Sequence, residues 1–498
     1  MQKLVEEFKA YLKKLHAYQH AAGVMYYDFE TAMPKGASEE FSQTMGVLSE
    51  ELYKLSTAPE FKNMVKQLLE HKDELDLITR REAEELNESI ARTDCIPMEE
   101  YVDYQMVQSM ASSVWHEAKV TNDYAAFKPH LEKLIQYARK FALYYAPDQD
   151  PYDTLLDEYE KGLNKETLDR YFASLRENLL PLVEKTSALR DTIDDRFLFA
   201  HYPLEGQRAL SDYIMQVMCI DRNHCSIGEV EHPFTTEFNK HDVRITTHYY
   251  EDAVASSFYS VVHEGGHALY ELNTGDDLIG SPLASGTSMG IHESQSRLFE
   301  NIIGRSEEFI QVVFPKLLEL FPEQLKGVTA HDFYRAVNKS VPSLVRTEAD
   351  ELTYSFHIMV RYELEKQLIA GTLSVDDLPA AWNRLYKEYL GVDVPDDTHG
   401  VLQDSHWSGG SFGYFPSYSI GSAYGAQFMD AMRKDMDVDA LIAAGNLKPI
   451  IDWLTEKIYR FGCIKKPGEL IRDICGQEFD AKYYVDYLTK KFSDIYSL

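Results

Sequence analysis

The feature that most constrains this chain is the pentapeptide His263-Glu264-Gly265-Gly266-His267, because an apolar helical pattern encloses it. Apolar residues on both sides recur at helical spacing, so we predict one mostly buried helix. These residues are Val254, Phe258, Val261, Val262, Leu269 and Leu272. Positions i and i+4 of a helix point the same way, so the imidazoles of His263 and His267 can reach one metal ion.

Glu264 follows the first histidine, so its carboxylate can overhang a metal without binding it, where a general base for water must sit. The competing interpretation is a pair of ordinary core histidines. Gly265 and Gly266 favour a site, because each costs about 1 kcal/mol in a helix interior relative to Ala. A sequence that accepts this cost twice needs bare backbone there, so that a substrate strand or a second element can approach.

A third ligand is expected near residue 293, after a loop and a returning helix. We prefer Glu293, because a catalytic zinc typically takes three protein ligands and His-His-Glu is an established set. His292 competes for the same place, and position alone does not exclude it. Glu300 lies one or two turns further on, where we expect a carboxylate at the surface or behind a ligand.

Composition excludes several classes of protein. The 498 residues carry 81 acidic against 50 basic side chains, a net charge of −31, which argues against nucleic-acid and anionic-membrane surfaces. No apolar run reaches the length of about 18 residues that a membrane span needs, and the N-terminus lacks a signal peptide's apolar core. Five scattered cysteines do not indicate a disulfide framework. We therefore expect a cytoplasmic protein.

From residue 1 to about residue 200 the pattern is almost entirely helical. We predict a helical hairpin from 39–55 and 61–89, and later a helix at 127–145 with Pro129 in its first turn. Neither a repeat nor a low-complexity linker marks a boundary, so we expect residues 1–498 to form a single domain. Its N-terminal helical lobe would span about 1–200 and its catalytic part about 201–498.

The pattern changes to strand-like alternation after Cys225. Residues 226–238 and 242–250 are rich in β-branched and aromatic side chains, which predicts two or three short antiparallel strands before the His263 helix. An edge strand beside a metal site can pair with an extended peptide through main-chain hydrogen bonds. Asp242 and Arg244 alternate onto one strand face, where they form either a local ion pair or a substrate contact.

Arg346 follows the apolar Leu344 and Val345, and an arginine in apolar surroundings needs a partner. Glu348 and Asp350 are the candidates for a structural role. A substrate carboxylate is the candidate for a functional one.

A glycine- and tyrosine-rich loop at 408–421 is unusual in so helical a chain, and such loops often carry function. His406, Tyr414 and Tyr418 are donors that can stabilise an oxyanion. Aromatic packing at the start of a helix explains the same residues equally well.

Six motifs stand in a fixed order along the chain. They are His232-Pro-Phe234, Asp242-x-Arg244-x-Thr246, His263-Glu-Gly-Gly-His267, His292-Glu-Ser-Gln295, Arg346-Thr-Glu-Ala-Asp350 and Gly400-x-x-Gln-Asp-x-His-Trp407. In order and spacing this set resembles the carboxypeptidase Taq family of metallocarboxypeptidases. Stretches around Trp115 and Tyr152 resemble the family too, so the likeness covers nearly the whole chain. Val345 is a mild departure, because the family often has Ile there, and we expect it to affect packing only.

The resemblance implies a mainly α, two-lobed helical body with a deep central groove and a small antiparallel β-sheet near the metal site. It implies a carboxypeptidase that releases single C-terminal residues from peptides with broad specificity, by metal-activated water attack with a Glu general base. It also implies one divalent metal per chain, zinc ahead of cobalt, and a homodimer.

The resemblance also assigns roles to residues by motif. The metal ligands are His263, His267 and Glu293, the general base is Glu264, the oxyanion donors are His406 and Tyr418 ahead of Tyr414, and the residues for the free C-terminal carboxylate are Arg346 with Arg244 nearby.

Two other functions use the same residues. An endo-acting helical oligopeptidase shares the two-histidine, distant-glutamate site and the His/Tyr loop, but it would still cut peptides with amidated C-termini. A non-catalytic scaffold with a structural metal would need a closed four-coordinate site, whereas this sequence offers three ligands plus Glu264.

Overall fold

The helical pattern of the first part of the chain is present in a computed structural model, which describes residues 1–498 and every side chain except that of Lys35. Its helices are α1 Gln2–Thr31, α2 Ser38–Thr57, α3 Pro59–Glu70, α4 Leu77–Asp94, α5 Met98–Thr121, α6 Tyr124–Tyr145, α7 Pro151–Tyr159, α8 Lys165–Ala188 and α9 Leu204–Val217.

Two helix predictions need correction. The helix predicted for 61–89 is two helices, because Asp76 caps a new start by accepting a hydrogen bond from the Thr79 N–H at 3.0 Å. Pro129 lies in the second turn of α6 and not in the first, because that helix already begins at Tyr124.

The predicted small sheet lies immediately before the His263 helix. Its strands are β1 Cys225–Glu229, β2 Thr235–Asn239 and β3 Asp242–Thr247, in the order β1–β3–β2. β2 and β3 pair antiparallel as predicted, but β1 pairs parallel to β3, so the prediction of a purely antiparallel sheet was wrong for this pair. The chain reverses direction between β1 and β2 and again between β2 and β3, and two reversals make β1 and β3 run the same way.

The second part of the chain is again helical. Its helices are α10 Val254–Leu272, α11 Met289–Arg297, α12 Glu307–Leu320, α13 Ala330–Val337, α14 Glu351–Ala370, α15 Leu378–Leu390, α16 Pro416–Asp435, α17 Val438–Ala443, α18 Lys448–Lys457, α19 Pro467–Cys475 and α20 Lys482–Tyr496. A π-helical segment, Leu298–Ile303, continues α11 directly. The buried helix predicted around His263 is α10.

Glycines let α11 lie very close to both α10 and α16. A Cβ on Gly266 of α10 would lie 2.7 Å from the backbone of Gln295, and one on Gly421 of α16 would lie 2.7 Å from Cβ of Glu293. The expectation of bare backbone for a second element is therefore confirmed for Gly266, and that element is α11, whereas Gly265 faces the side chains of Met218 and Ile220. This close packing positions the candidate site.

Two hydrophobic clusters hold the helices together. The smaller one joins α1, α3 and α4 through residues that include Phe8, Phe61 and Leu68. The larger one extends from α5 to α20 and includes Val261 and Val262 of α10. None of the helices in the described part of the chain combines the length and the hydropathy that a bilayer span needs. The predicted mainly helical fold with a small sheet is confirmed.

Candidate active site

Three side chains that can share one metal ion converge where α10 meets α11. Nε2 of His263 and Nε2 of His267 lie 3.7 and 3.5 Å from Oε2 of Glu293. One ligand atom from each residue lies within 4.8 Å of the other two. Two imidazole nitrogens and one carboxylate oxygen at these separations are a donor set that suits zinc. The structure thus brings together the three residues predicted as ligands.

A carboxylate behind His263 fixes the orientation of its ring. Nδ1 of His263 lies 2.9 Å from Oε2 of Glu300, which is part of the π-helical segment. Burial alone would raise the pKa of Glu300, but Arg297, His263 and Arg305 lower it well below its ordinary value. An ionised carboxylate only accepts, so Nδ1 of His263 carries a proton and Nε2 is the nitrogen that can bind a metal. Burial alone would lower the pKa of His263, but Glu293 and Glu300 raise it, so metal binding at Nε2 displaces a proton.

A chain of hydrogen bonds fixes His267 in the same way. Its Nδ1 lies 2.6 Å from Nδ1 of His292, and Nε2 of His292 lies 2.7 Å from Oε1 of Glu271. Burial alone would lower the pKa of His292, but Glu271, Glu237 and Glu293 raise it above its ordinary value. In its neutral form His292 donates from Nε2 to the carboxylate and accepts the Nδ1–H of His267. Burial lowers the pKa of His267 to about 3, so its Nε2 carries no proton at neutral pH. His292, the competitor of Glu293, therefore lies behind a ligand.

Glu293 is held so that one oxygen faces the histidines. Its Oε1 accepts a hydrogen bond from Nε of Arg297 at 2.8 Å, and its Oε2 accepts one from Oγ of Ser296 at 3.1 Å. Burial alone would raise the pKa of Glu293, but Arg297 and the two imidazoles lower it well below its ordinary value. The carboxylate is therefore ionised at neutral pH, as metal binding requires.

Glu264 directly follows His263 on α10, and its side chain is buried, at 7% exposed. Its Oε2 accepts a hydrogen bond from Oγ1 of Thr235, on β2, at 2.6 Å. Burial raises the pKa of Glu264 above its ordinary value, although His263 and Thr235 oppose the shift. A raised pKa suits a group that takes up a proton and releases it near neutral pH. Sequence reasoning missed Thr235, which directly follows the His232-Pro-Phe234 motif.

The predicted donors His406 and Tyr418 are in contact. Nε2 of His406 lies 3.2 Å from the Tyr418 hydroxyl, and the ring centroid of Tyr414 lies 5.2 Å from that of Tyr418. Burial lowers the pKa of His406 to about 4, so the imidazole is neutral near pH 7 and has one N–H to donate. Burial also raises the pKa of Tyr418 well above its ordinary value, so the hydroxyl keeps its proton.

Arg346 pairs with Asp404, a residue that sequence reasoning did not select although it lies in the last motif. Nε and Nη2 of Arg346 donate to Oδ1 of Asp404 at 3.0 and 2.9 Å. The two structural partners proposed from the sequence were wrong, because Glu348 is exposed and Asp350 caps α14. Neither Glu348 nor Asp350 pairs with Arg346, so its partner comes from a distant segment of the chain.

Asp404 lies between two guanidinium groups. Arg361, which is 0% exposed, donates from Nε to Oδ2 of Asp404 at 2.7 Å and from Nη2 to Oε1 of Gln403 at 2.7 Å. Two positive groups against one carboxylate leave a net positive charge. This charge lies next to Tyr418, whose ring centroid is 5.0 Å from Cζ of Arg346. The group can attract an anion.

Tyr354 joins the arginine group to the ligand cluster. Its hydroxyl accepts a hydrogen bond from Nη1 of Arg346 at 3.3 Å, and its ring centroid lies 4.4 Å from Cζ of Arg297. Because Arg297 holds Glu293, the three ligands and Arg346 belong to one continuous site.

Arg244 forms the local ion pair that was one of its two predicted roles. Its Nε and Nη2 donate to the two carboxylate oxygens of Asp242 at 2.8 Å each. Its Cζ lies 4.9 Å from the ring centroid of Tyr27 and 4.6 Å from that of Phe238. In the described part of the chain these contacts join β3 to α1 and do not include the group around Arg346.

Comparison with known proteins points to one family. Residues 7–492 match the family model described as carboxypeptidase Taq (M32) metallopeptidase. The chain is 40% identical to Carboxypeptidase 1 of Bacillus subtilis (strain 168) over 494 residues, which is 99% of each protein. It is 36% identical to Thermostable carboxypeptidase 1 of Pyrococcus furiosus, over 98% of each. The structure superimposes on the M32 carboxypeptidase from Deinococcus radiodurans R1 with a TM-score of 0.96, at 33% identity and over the full length of both chains.

Proposed function

Because the chain belongs to the carboxypeptidase Taq (M32) metallopeptidase family, and is thus a metallocarboxypeptidase, we propose that it releases single residues from free peptide C-termini with broad side-chain specificity. One observation carries this proposal: a three-ligand cluster and a net positive arginine group lie in the same site. The cluster alone suits any metal-dependent hydrolase. The arginine group favours a chain end, because only there does an α-carboxylate directly follow the last peptide bond.

The proposed cofactor is one divalent ion held by His263, His267 and Glu293, with zinc ahead of cobalt. The donor set supports this fit, and so do the hydrogen bonds at both Nδ1 atoms, because the Nε2 atoms are the ones that lie near Oε2 of Glu293. When bound, the ion supplies Lewis-acid chemistry that lowers the pKa of water and polarises the scissile carbonyl.

Glu264 is the proposed general base. It accepts a proton from the attacking water and later delivers that proton to the leaving amine. The raised pKa that burial causes supports both steps, because a more basic carboxylate holds the proton until the amine needs it. Oε2 of Glu264 already accepts a hydrogen bond from Oγ1 of Thr235, so Oε1 is the oxygen that exchanges the proton.

His406 and Tyr418 are the proposed oxyanion donors. A neutral imidazole and a protonated phenol each have one hydrogen to donate, and each such donor is worth about 3 kcal/mol of activation free energy. Their mutual contact supports the choice of Tyr418 over Tyr414, because the two donors then face one place.

Arg346 is the proposed binding residue for the C-terminal carboxylate. Its Nε and Nη2 each donate a hydrogen to Asp404 and its Nη1 donates one to the Tyr354 hydroxyl, so the second hydrogens of Nη1 and Nη2 are the ones left for the substrate. Arg244 is proposed as a secondary contact, since it would have to exchange Asp242 for the substrate.

We also infer a homodimer that works in the cytoplasm, with residues 1–498 as a single domain. The family resemblance supports the dimer, and five free cysteines are consistent with a reducing compartment.

One peptide, prepared as the free acid and as the C-terminal amide, tests the proposal. We expect mass spectrometry to show stepwise loss of single C-terminal residues from the free acid alone, and a chelator to abolish the reaction. Internal cuts in both forms would instead support an endo-acting oligopeptidase and would leave Arg346 without its proposed role.

A further inference from the structure

A fully buried carboxylate next to the site has no part in the steps above. Glu365 lies on α14 and is 0% exposed. Its Oε1 accepts a hydrogen bond from Nε1 of Trp407 at 2.7 Å, and its Oε2 accepts one from the Gly413 N–H at 2.9 Å and one from the Tyr152 hydroxyl at 2.8 Å. Burial raises the pKa of Glu365 to about 7, although these three donors oppose the shift. Such burial is costly, so a specific use is expected.

Two of the three partners of Glu365 lie at the two ends of one loop, and the third, Tyr152, lies on α7. Trp407 directly follows His406, and Gly413 ends the turn before α16. Gly413 has φ of 90°, a left-handed conformation that favours glycine, and a Cβ there would lie 2.8 Å from the backbone of Leu155 on α7. One carboxylate therefore holds both ends of the segment 407–413 against α7 and α14.

His406 differs from the two ligand histidines in how its ring is held. His263 and His267 each have a hydrogen-bond partner at Nδ1. Nδ1 of His406 is buried and, among the described residues, has no hydrogen-bond partner. No bond at Nδ1 fixes this ring, so apart from the contact of Nε2 with the Tyr418 hydroxyl its direction depends on the backbone that carries it and on packing against Phe415, whose ring centroid is 4.3 Å away.

We propose that Glu365 is a positioning residue for His406: by holding Trp407 and Gly413 together, its carboxylate aims the His406 imidazole to the place beside the Tyr418 hydroxyl. This inference rests on the proposed function, in which His406 donates to the oxyanion. An apolar residue at 365 would avoid the cost of burying a carboxylate, but it would leave the indole N–H and the Gly413 N–H without acceptors. A misplacement of about 1 Å at a reacting group can reduce the rate about 100-fold.

A double-mutant cycle with E365Q, H406A and E365Q/H406A tests the inference. We expect H406A to reduce kcat by about 100-fold or more, as for the loss of an oxyanion donor. E365Q should reduce kcat by about 10- to 100-fold with KM changed less than about threefold, because a tilted donor affects the transition state alone. In the H406A background the E365Q substitution should change kcat by less than about threefold, because the imidazole that Glu365 positions is absent.

The matched control is E160Q. Glu160 is 1% exposed, burial also raises its pKa to about 7, and it accepts the Gly290 N–H of α11 at 2.9 Å, a hydrogen bond that does not involve the 407–413 loop. Any effect of E160Q on kcat should be the same in the two backgrounds. W407F, which removes one donor to Glu365, gives a second variant if E365Q does not fold, and it should also lose its effect in H406A.

The possible outcomes distinguish a failure of the positioning role of Glu365 from a failure of the donor role of His406. A full E365Q effect in the H406A background would overturn the positioning role and leave His406 as a donor. An H406A enzyme with wild-type kcat would overturn the donor role of His406, and the positioning role with it.

Discussion

The two halves of the site carry opposite charge. Around the metal ligands, the carboxylates of Glu293 and Glu300 pair with the guanidinium groups of Arg297 and Arg305, and Glu264 adds a third carboxyl group near them. In the other half, the two guanidinium groups of Arg346 and Arg361 face the single carboxylate of Asp404. The first half therefore favours a cation and the second an anion. The proposed function fits this polarity, because the carbonyl of the last peptide bond would meet the cation and the terminal carboxylate would meet the arginines.

The halves also differ in how far apart their residues lie in the sequence. The metal half takes two proposed ligands from one turn of α10 and a third from the next helix, α11. The arginine half takes Arg346, Arg361 and Asp404 from a 3₁₀ turn, a long helix and a loop. Helical spacing in the sequence indicates the two histidines of the metal half. No spacing indicates the arginine half, because its residues come from three separate elements that meet only in the folded chain.

The largest expected effect comes from a substitution that removes the general base of the metal half and leaves the metal ligands in place. E264Q should lower kcat about 1,000-fold, because general acid–base catalysis by Glu264 is lost. Metal content should stay at one ion per chain, since Glu264 is not one of the three ligands. Steady-state kinetics with elemental analysis of the purified protein measures both. Wild-type turnover in E264Q would remove Glu264 from the role of base.

The next effect breaks the arginine half. R346M should weaken binding of a free-acid peptide about 100-fold, as for loss of one partner of a buried charge pair, and should leave its C-terminal amide almost unchanged. Inhibition constants of the two forms against a chromogenic substrate measure this difference. R244M is the matched control, and it should matter much less, because Arg244 is already paired with Asp242. An equal loss for acid and amide would contradict carboxylate recognition by Arg346.

A smaller effect tests the support of the ligands. E300Q should weaken metal binding about tenfold or more, because Glu300 fixes the proton on Nδ1 of His263. Competition with a chromophoric chelator gives the dissociation constant. R305M removes a charge from the other oxygen of Glu300 without contacting His263, so its effect should be smaller. If the two variants bind metal alike, the hydrogen bond to His263 does not support the ligand.

The smallest effect concerns a property that the halves share, a buried carboxylate with a pKa of about 7. Glu160 supports the start of α11 and Glu365 supports the loop after His406. For each group the folded-state pKa lies above the unfolded value, so the folded state binds more protons between pH of about 4.5 and 7, and stability falls as pH rises through this window. Each group contributes at most about 1.4 kcal/mol per pH unit.

E160Q and E365Q should therefore lose stability less steeply than the wild type between pH 5 and 7.5. Chemical denaturation at several pH values measures the slope. A slope equal to that of the wild type would show that these carboxylates do not titrate in that window.

How much the sequence predicts differs between particular residues. The i, i+4 pair His263 and His267 and the need for bare glycine backbone both follow from helix geometry, which is local. The parallel direction of β1 could not be predicted, because it depends on the path of the chain between strands. The partner of Arg346 could not be predicted from neighbours either, because Asp404 is 58 positions away. Asp404 does lie in the last of the six motifs. Considering every acidic residue of the motifs as a partner of Arg346 would therefore have included it.

The most direct test of the two-half account is a crystal structure of zinc-loaded E264Q with a free-acid tripeptide bound. We predict the terminal carboxylate on Arg346 and the carbonyl of the last peptide bond at the zinc held by His263, His267 and Glu293. A tripeptide whose carboxylate lies away from Arg346 while the same carbonyl faces the zinc would contradict the account.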